Sequence, residues 1–277
     1  MGNRYPAVPT EHMEELVRIV RRLRKECPWD REQTHRSMRH SLIEETYEVV
    51  ETLDKGDMAG LCGELGDLLL HIILHATIAE QQREFTLADV VGGINRKLIR
   101  RHPHVFGKRT IKSSEEVRHQ WDRIKMQEGR TSVLEGIPKA MPSLQRAVKV
   151  QQRAAKVGFD WMDPEEVWSK IREELEELHE ALQRGSRKKR EEEFGDMLFS
   201  LVNYSRFLDV NPENALRGTI GKFVRRFRFI EAEIRKQGKD IHDFTLEEMD
   251  LLWNKAKGND AAKHRRRSTR RNAPSHR

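Results

Sequence analysis

Between Arg172 and Asp196 the chain reads Arg-Glu-Glu-Leu-Glu-Glu-Leu-His-Glu-Ala-Leu-Gln-Arg-Gly-Ser-Arg-Lys-Lys-Arg-Glu-Glu-Glu-Phe-Gly-Asp, and no other stretch restricts the fold as much. It holds two carboxylate pairs at i, i+3: Glu174 with Glu177, and Glu193 with Asp196. Side chains three apart on a helix sit one turn apart on one face. The Gly185-Ser186 break between the pairs lets the two halves fold as an antiparallel helix pair, so that four acids converge on one point. Like charges gathered in this way repel unless a cation lies between them. The stretch therefore predicts a divalent metal site.

The pattern occurs twice. Glu44-Glu45-x-x-Glu48 answers to Glu173-Glu174-x-x-Glu177, and Glu64-Leu-Gly-Asp67 answers to Glu193-Phe-Gly-Asp196. Glu45 stands 19 residues before Glu64, as Glu174 does before Glu193. Lys97-x-x-Arg100-Arg101 matches Lys222-x-x-Arg225-Arg226, Trp121-x-x-x-Lys125 matches Trp253-x-x-x-Lys257, and Trp29-Asp30 loosely matches Phe159-Asp160-Trp161. Packing alone would repeat apolar positions; polar residues recurring in order point to a duplicated functional unit. The copies are unequal. Ser41 stands where the second copy has Lys170, and Gly63 where it has Glu192.

The rest of the chain reads as helices. Thr10 can cap a helix to about Glu26, which Cys27-Pro28 breaks. Further helices are expected at about 38–55, ending at Gly56; from the Asp57 cap to about Arg83; from the Thr86 cap to about His102; and from Ser113 or Ser114 to Gln127. Residues 129–142, with two glycines and two prolines, read as a linker. Helices follow at about 143–157, 164–183, 187–208, 212–237 and 245–257. Strand-length alternation is missing, so the expected class is all-α. The expected organisation is a disordered N-terminus (1–9), an N-terminal domain (10–128), the linker, a C-terminal domain (143–258) and a disordered basic tail (259–277).

The sequence pI is about 9.4 and the formal charge +7. Residues 259–277 hold seven basic residues (Lys263, Arg265, Arg266, Arg267, Arg270, Arg271 and Arg277) against one acid, Asp260, leaving the body near neutral. Nucleic-acid binding is therefore expected only as weak contact through the tail, separable from the body by deletion. The two cysteines form no Cys-x-x-Cys pattern. The most apolar run, 65–79, is interrupted by Asp67, His71 and His75, and no N-terminal signal core is seen. A cytoplasmic protein without a membrane span is expected.

Oxygen donors suit Mg²⁺, with Mn²⁺ as a substitute. A carboxylate-bridged iron protein would need Glu-x-x-His, and neither pair contains histidine. His71 and His75 lack the intervening Glu of a His-Glu-x-x-His zinc site and read as helix-face residues. Lys222 with Arg226, and Lys97 with Arg101, are i, i+4 pairs able to clamp polyphosphate. Trp253 can stack on a base while Lys257 reaches phosphate. No glycine-rich phosphate loop and no Ser/His or Cys/His arrangement stands out, which leaves attack by activated water as the economical chemistry.

Six segments carry a resemblance: Cys27-Pro-Trp-Asp-x-x-Gln-Thr34, Leu42-Ile-Glu-Glu-Thr-Tyr-Glu48, Gly63-Glu-Leu-Gly-Asp-Leu-Leu69, Arg100-Arg-His-Pro-His-Val-Phe106, Val157-Gly-Phe-Asp-Trp161 and Glu192-Glu-Phe-Gly-Asp-Met-Leu-Phe199. Over about residues 11–257 the chain resembles the two-domain form of the MazG family of nucleoside triphosphate pyrophosphohydrolases. The resemblance implies tandem all-α NTP pyrophosphatase domains, with a four-helix bundle around each site completed by homodimerisation. It implies Mg²⁺-dependent hydrolysis of NTPs and dNTPs to the monophosphate and pyrophosphate. Metal ligands would be Glu174, Glu177, Glu193 and Asp196, with catalytic roles for Glu174, Glu193 and Asp196. Nucleotide contacts would come from Lys170, Glu173, Glu192, Lys222, Arg226, Trp253 and Lys257. Glu45, Glu48, Glu64 and Asp67 would form the second metal site, and Lys170 and Glu192 mark the C-terminal copy as the main active site.

Overall fold

The computed structural model describes residues 10–107, 111, 113–127 and 131–271; the side chains of 114, 118, 119, 122, 125–127 and 261–271 lie outside that description. The N-terminal segment 1–9 and the last six residues, both expected to be disordered, also lie outside it. Among the described residues every regular element is helical. The chain divides into two compact units, Met1–Lys125 and Met126–Arg277.

In the first unit, α1 spans Thr10–Glu26, α2 Pro28–Glu32, α3 Arg39–Lys55, α4 Met58–Gln81, α5 Leu87–Arg101, α6 Pro103–Phe106 and α7 Ser114–Gln127. Local chemistry sets the boundaries. Gly56 takes a left-handed φ of 68° after α3, a conformation that costs glycine little. Asp57 accepts the Gly60 amide at the start of α4, and Thr86 forms a capping box with Asp89 at the start of α5. Helix α4 packs against α1, α3 and α5. It joins Ile73, Leu74 and Ile78 to Val20 and Met38 in a buried cluster. By length and composition α4 could cross a bilayer. Its C-terminal half is instead occupied as the core of this unit, and its N-terminal half carries Glu64 and Asp67.

Arg24 is buried without a carboxylate partner among the described residues. It donates to Gln81 Oε1 at 2.7 Å, to the Gln33 carbonyl at 2.9 Å and to the Asp30 carbonyl. This is how a charge survives burial: every donor shown meets an oxygen, and α1, α2 and α4 are tied together.

In the second unit, α8 spans Ser143–Ala155, α9 Pro164–Arg184, α10 Arg187–Phe207, α11 Pro212–Lys236 and α12 Leu246–Arg271, with a short 3-10 turn at Ile241–Asp243. Helices α9 and α10 form a hairpin around Val167, Ile171, Ala181 and Val202. Helix α8 packs against both α10 and α11, and α11 against α12. The loop before α9 is fastened to the end of α10 by Asp160, which receives both terminal nitrogens of Arg206 at 2.6 and 3.1 Å. The helix expected to stop at 257 runs on to Arg271, so most of the basic tail expected to be disordered is helical. No proline interrupts 258–271, and Asp260 is anchored to α11.

Candidate metal centre

The hairpin α9–α10 brings Glu174, Glu177 and Glu193 together, with one carboxylate oxygen of each within 4.8 Å of the others. In the first unit α3 and α4 do the same for Glu45, Glu48 and Glu64. Three of the four acids expected in each copy therefore converge. Asp67 and Asp196 stand outside both triplets and are exposed, one turn further along their helices. Asp67 still stands near enough to Glu45 for its charge to raise that carboxyl.

The second triplet is the deeper one: Glu174 is 5% exposed and Glu193 3%. Carboxylates so buried need counter-charges. Lys170 supplies one, bridging Glu173 and Glu174 at 2.8 Å each. Lys189 supplies the other, on Glu193. These hydrogen-bonded carboxylates push both lysines above the usual ammonium range, chiefly through Glu173 and then Glu174 for Lys170, and through Glu193 for Lys189. Glu177 keeps no lysine on its own carboxylate. Partial burial, then Glu193 and Glu174, push its carboxyl up. One oxygen of the set, Glu174 Oε2, is buried without a hydrogen-bond partner. Three clustered carboxylates, one of them with an orphaned oxygen, are the hard-oxygen environment that a divalent cation takes. The residues present fit such an ion.

Next to the triplet a cavity of about 570 Å³ is lined by Glu177, Glu180, Gln183, Arg184, Lys189 and Glu193, among others. Lys189 was missed in the sequence. The signal was there: a lysine four before a repeated glutamate, replaced by Gly60 in the first copy.

The first triplet is shallower and lacks the lysines. Glu45 and Glu64 are half-buried and Glu48 exposed. No described cation pairs with these three. Glu45 is pushed above the usual carboxylate range by burial, then by Glu48, Asp67 and Glu64.

The nucleotide-contact candidates are placed as follows. Glu173 is exposed and holds Lys170; Glu192 is exposed near the start of α10. On α11 and α12, Arg226 lies 5.4 Å from the Trp253 ring centroid, and Phe223 packs on the same ring at 5.3 Å. Lys222 and Lys257 are exposed on these two helices. The structure thus gathers Arg226 with Trp253 and, separately, the acids with Lys170 and Lys189; α8 is the helix that packs against both α10 and α11. In the first unit His102 packs edge-on against Trp121 at 5.1 Å, and Lys125 lies outside the described side chains.

The family described as "MazG nucleotide pyrophosphohydrolase domain" matches this chain twice, over residues 33–106 and 162–228, each range containing one acid triplet. The chain is 47% identical over 252 residues to a protein of Thermotoga maritima named nucleoside triphosphate pyrophosphohydrolase/pyrophosphatase MazG, covering 89% of this chain and 96% of that one. It is 40% identical over 254 residues to the nucleoside triphosphate pyrophosphohydrolase of Escherichia coli (strain K12), covering 88% and 97%. Both matched ranges enclose the clustered acids, and the likeness extends nearly end to end along both relatives: the chain belongs to the MazG nucleotide pyrophosphohydrolase family.

Proposed function

We propose that this protein hydrolyses nucleoside and deoxynucleoside triphosphates to the monophosphate and pyrophosphate, with the triplet of the second unit at the main site. The observation that carries the reading is the cluster of buried Glu174 and Glu193 with exposed Glu177, one carboxylate oxygen of it still unpartnered, beside an open cavity. Mg²⁺, with Mn²⁺ as a substitute, would be held by these three and by Asp196. When bound it supplies charge neutralisation on the triphosphate and a more acidic water.

This chain's residues do the rest. Glu174 or Glu193 takes the proton of the attacking water, with Asp196 completing the acidic set. Lys170, Glu173 and Glu192 line the approach. Lys222, Arg226 and Lys257 meet the phosphates, where charge develops as pyrophosphate leaves. Trp253 stacks on the base. Glu45, Glu48, Glu64 and Asp67 form a second metal site. The N-terminal domain in this reading covers 10–128 and the C-terminal domain 143–258, joined by 129–142.

The same reading includes a homodimer. Leu182, Phe194 and Leu201 on α9 and α10 are large apolar side chains left exposed, and so are Leu53, Leu65 and Ile72 at the matching positions of α3 and α4. Apolar faces repeated beside both acid groups are surfaces a second copy would cover. A cytoplasmic location accompanies it, as does weak nucleic-acid contact through the basic segment.

Product analysis tests the proposal. With an NTP and Mg²⁺ the products should be monophosphate and pyrophosphate; nucleoside diphosphate with orthophosphate would refute it. Asp196→Asn should abolish metal-dependent turnover, and wild-type rates in that variant would refute the site assignment.

A further inference from the structure

Asp260 reads in the sequence as the lone acid of a basic tail. In the structure it lies on α12, two turns beyond Trp253, and its carboxylate accepts from Arg226 Nε at 2.9 Å. Arg225 Nη2 approaches the same carboxylate oxygen at 3.9 Å. The Arg226 and Asp260 side chains are only 20% and 21% exposed, so the contact is far better shielded than an ordinary surface pair. The guanidinium also lies over the Trp253 ring. Arg226 is thus held twice, at Nε by a carboxylate and on its face by an aromatic ring. Its two terminal nitrogens make no hydrogen bond to a described residue. They are the prongs of the fork that meets phosphate oxygens in pairs.

We propose that Asp260 is a positioning residue for triphosphate binding, acting through Arg226. The proposal rests on the reading that Arg226 contacts the substrate phosphates. A free arginine side chain loses rotamer freedom when it grips a ligand; one already anchored does not. The charge that Asp260 adds is outweighed locally by Lys222, Arg225 and Arg226, so the patch stays attractive to anions. Asp260 is not needed to hold the two helices together. Lys255 on α12 already bonds Glu233 on α11 at 2.8 Å, and Phe223 packs on Trp253. Variants at 260 are therefore expected to fold.

The test is a double-mutant cycle on the full chain, read both by steady-state kinetics and by equilibrium binding of a non-hydrolysable α,β-methylene NTP with Mg²⁺. Asp260→Ala should raise KM and the analogue's Kd about tenfold, with kcat within about twofold of wild type. Asp260→Asn, which keeps an acceptor oxygen for Nε, should restore both to within about threefold. In an Arg226→Ala background, Asp260→Ala should cause no further loss. An unchanged KM and Kd in Asp260→Ala, or the same loss with and without Arg226, would overturn the proposal. A wild-type protein that releases no pyrophosphate would count against the enzymatic reading alone; analogue binding in the same four proteins would still decide on Asp260.

Discussion

The two acid triplets have the same spacing, the same helix hairpin and the same helix start, yet different surroundings. Helices α4 and α10 each open with a capping residue whose side chain accepts the amide three positions on: Asp57 that of Gly60, Ser186 that of Lys189. At this shared position the copies part. In α10 the capped residue extends a lysine to Glu193. In α4 it is a glycine, and a Cβ there would lie 2.6 Å from Asp57 Oδ2, so a side chain at 60 makes the capping carboxylate shift. On the partner helices Lys170 pairs with Glu174, whereas the first copy offers Ser41. The acid spacing fixes where a cation can sit, while the lysines allow the carboxylates to be buried beforehand. The second triplet holds two buried acids with lysine partners; the first is half-open, with no described cation on it.

Making the second copy resemble the first should have the largest effect. The pair Lys170→Ser and Lys189→Gly should lower kcat/KM on the order of 100-fold, about 2.7 kcal/mol in transition-state binding. The buried Glu174 and Glu193 lose their counter-charges. A double variant within threefold of wild type would show that the lysines are incidental. Ser41→Lys alone should leave overall turnover unchanged within about twofold, since the first copy would still lack a lysine at 60 and a glutamate at 63.

Acid should separate the two units next. Burial, together with His35 and His71, pushes the His75 imidazole below its usual range, and burial pushes His71 down against the opposing pull of Asp67. His35 and His75 share a hydrogen bond between their Nδ1 atoms at 2.8 Å, which needs one of them neutral. A base with a depressed folded pKa gives full stability above its unfolded pKa of about 6.5 and loses it as pH falls below that value. In the second unit, Lys236 and Lys255 lower Glu233 to about 2. Its contribution is present above the usual glutamate range and is lost only as pH falls towards 2. Hydrogen exchange at pH 5.5 and 7.5 should therefore show α4 loosening at the lower pH while α11 holds. His75→Gln should flatten the response of α4. Equal loosening of α4 and α11 would show that these histidines do not set the acid sensitivity of the first unit.

The smallest effect on activity is expected from removing residues 261–277, which spares Asp260. Turnover should stay within about twofold of wild type, while any retention on a polyanionic resin at low salt should fall. A large loss of turnover would give the basic segment a place in the site.

Much of this was legible in the residues. The capping side chains Asp57 and Thr86, the stop at Gly56 and the 19-residue spacing of the glutamates are local signals, and local signals read well. The clustering of Glu174, Glu177 and Glu193 followed from one periodicity and one break. What was not legible depends on meetings across the chain. No local rule places His35 against His75, forty residues away, or Asp260 against Arg226. Nor does a spacing argument separate glutamate from aspartate. Asp67 and Asp196 follow on the same helices but are exposed and stand outside the triplets, and exposure depends on the partner helix. Helix α12 was cut short because its basic composition resembles that of a disordered tail, while one acid in it has an anchoring partner.

Catalysis, in the proposed function, belongs chiefly to the second triplet. Pyrophosphate release from an NTP with Mg²⁺, measured side by side for wild type, Glu64→Gln and Glu193→Gln, addresses it most directly. The two variants remove one charge at matching positions with almost no change in shape. The expected loss is about 100-fold or more for Glu193→Gln and no more than about threefold for Glu64→Gln. Equal losses, or the greater loss in Glu64→Gln, would contradict it.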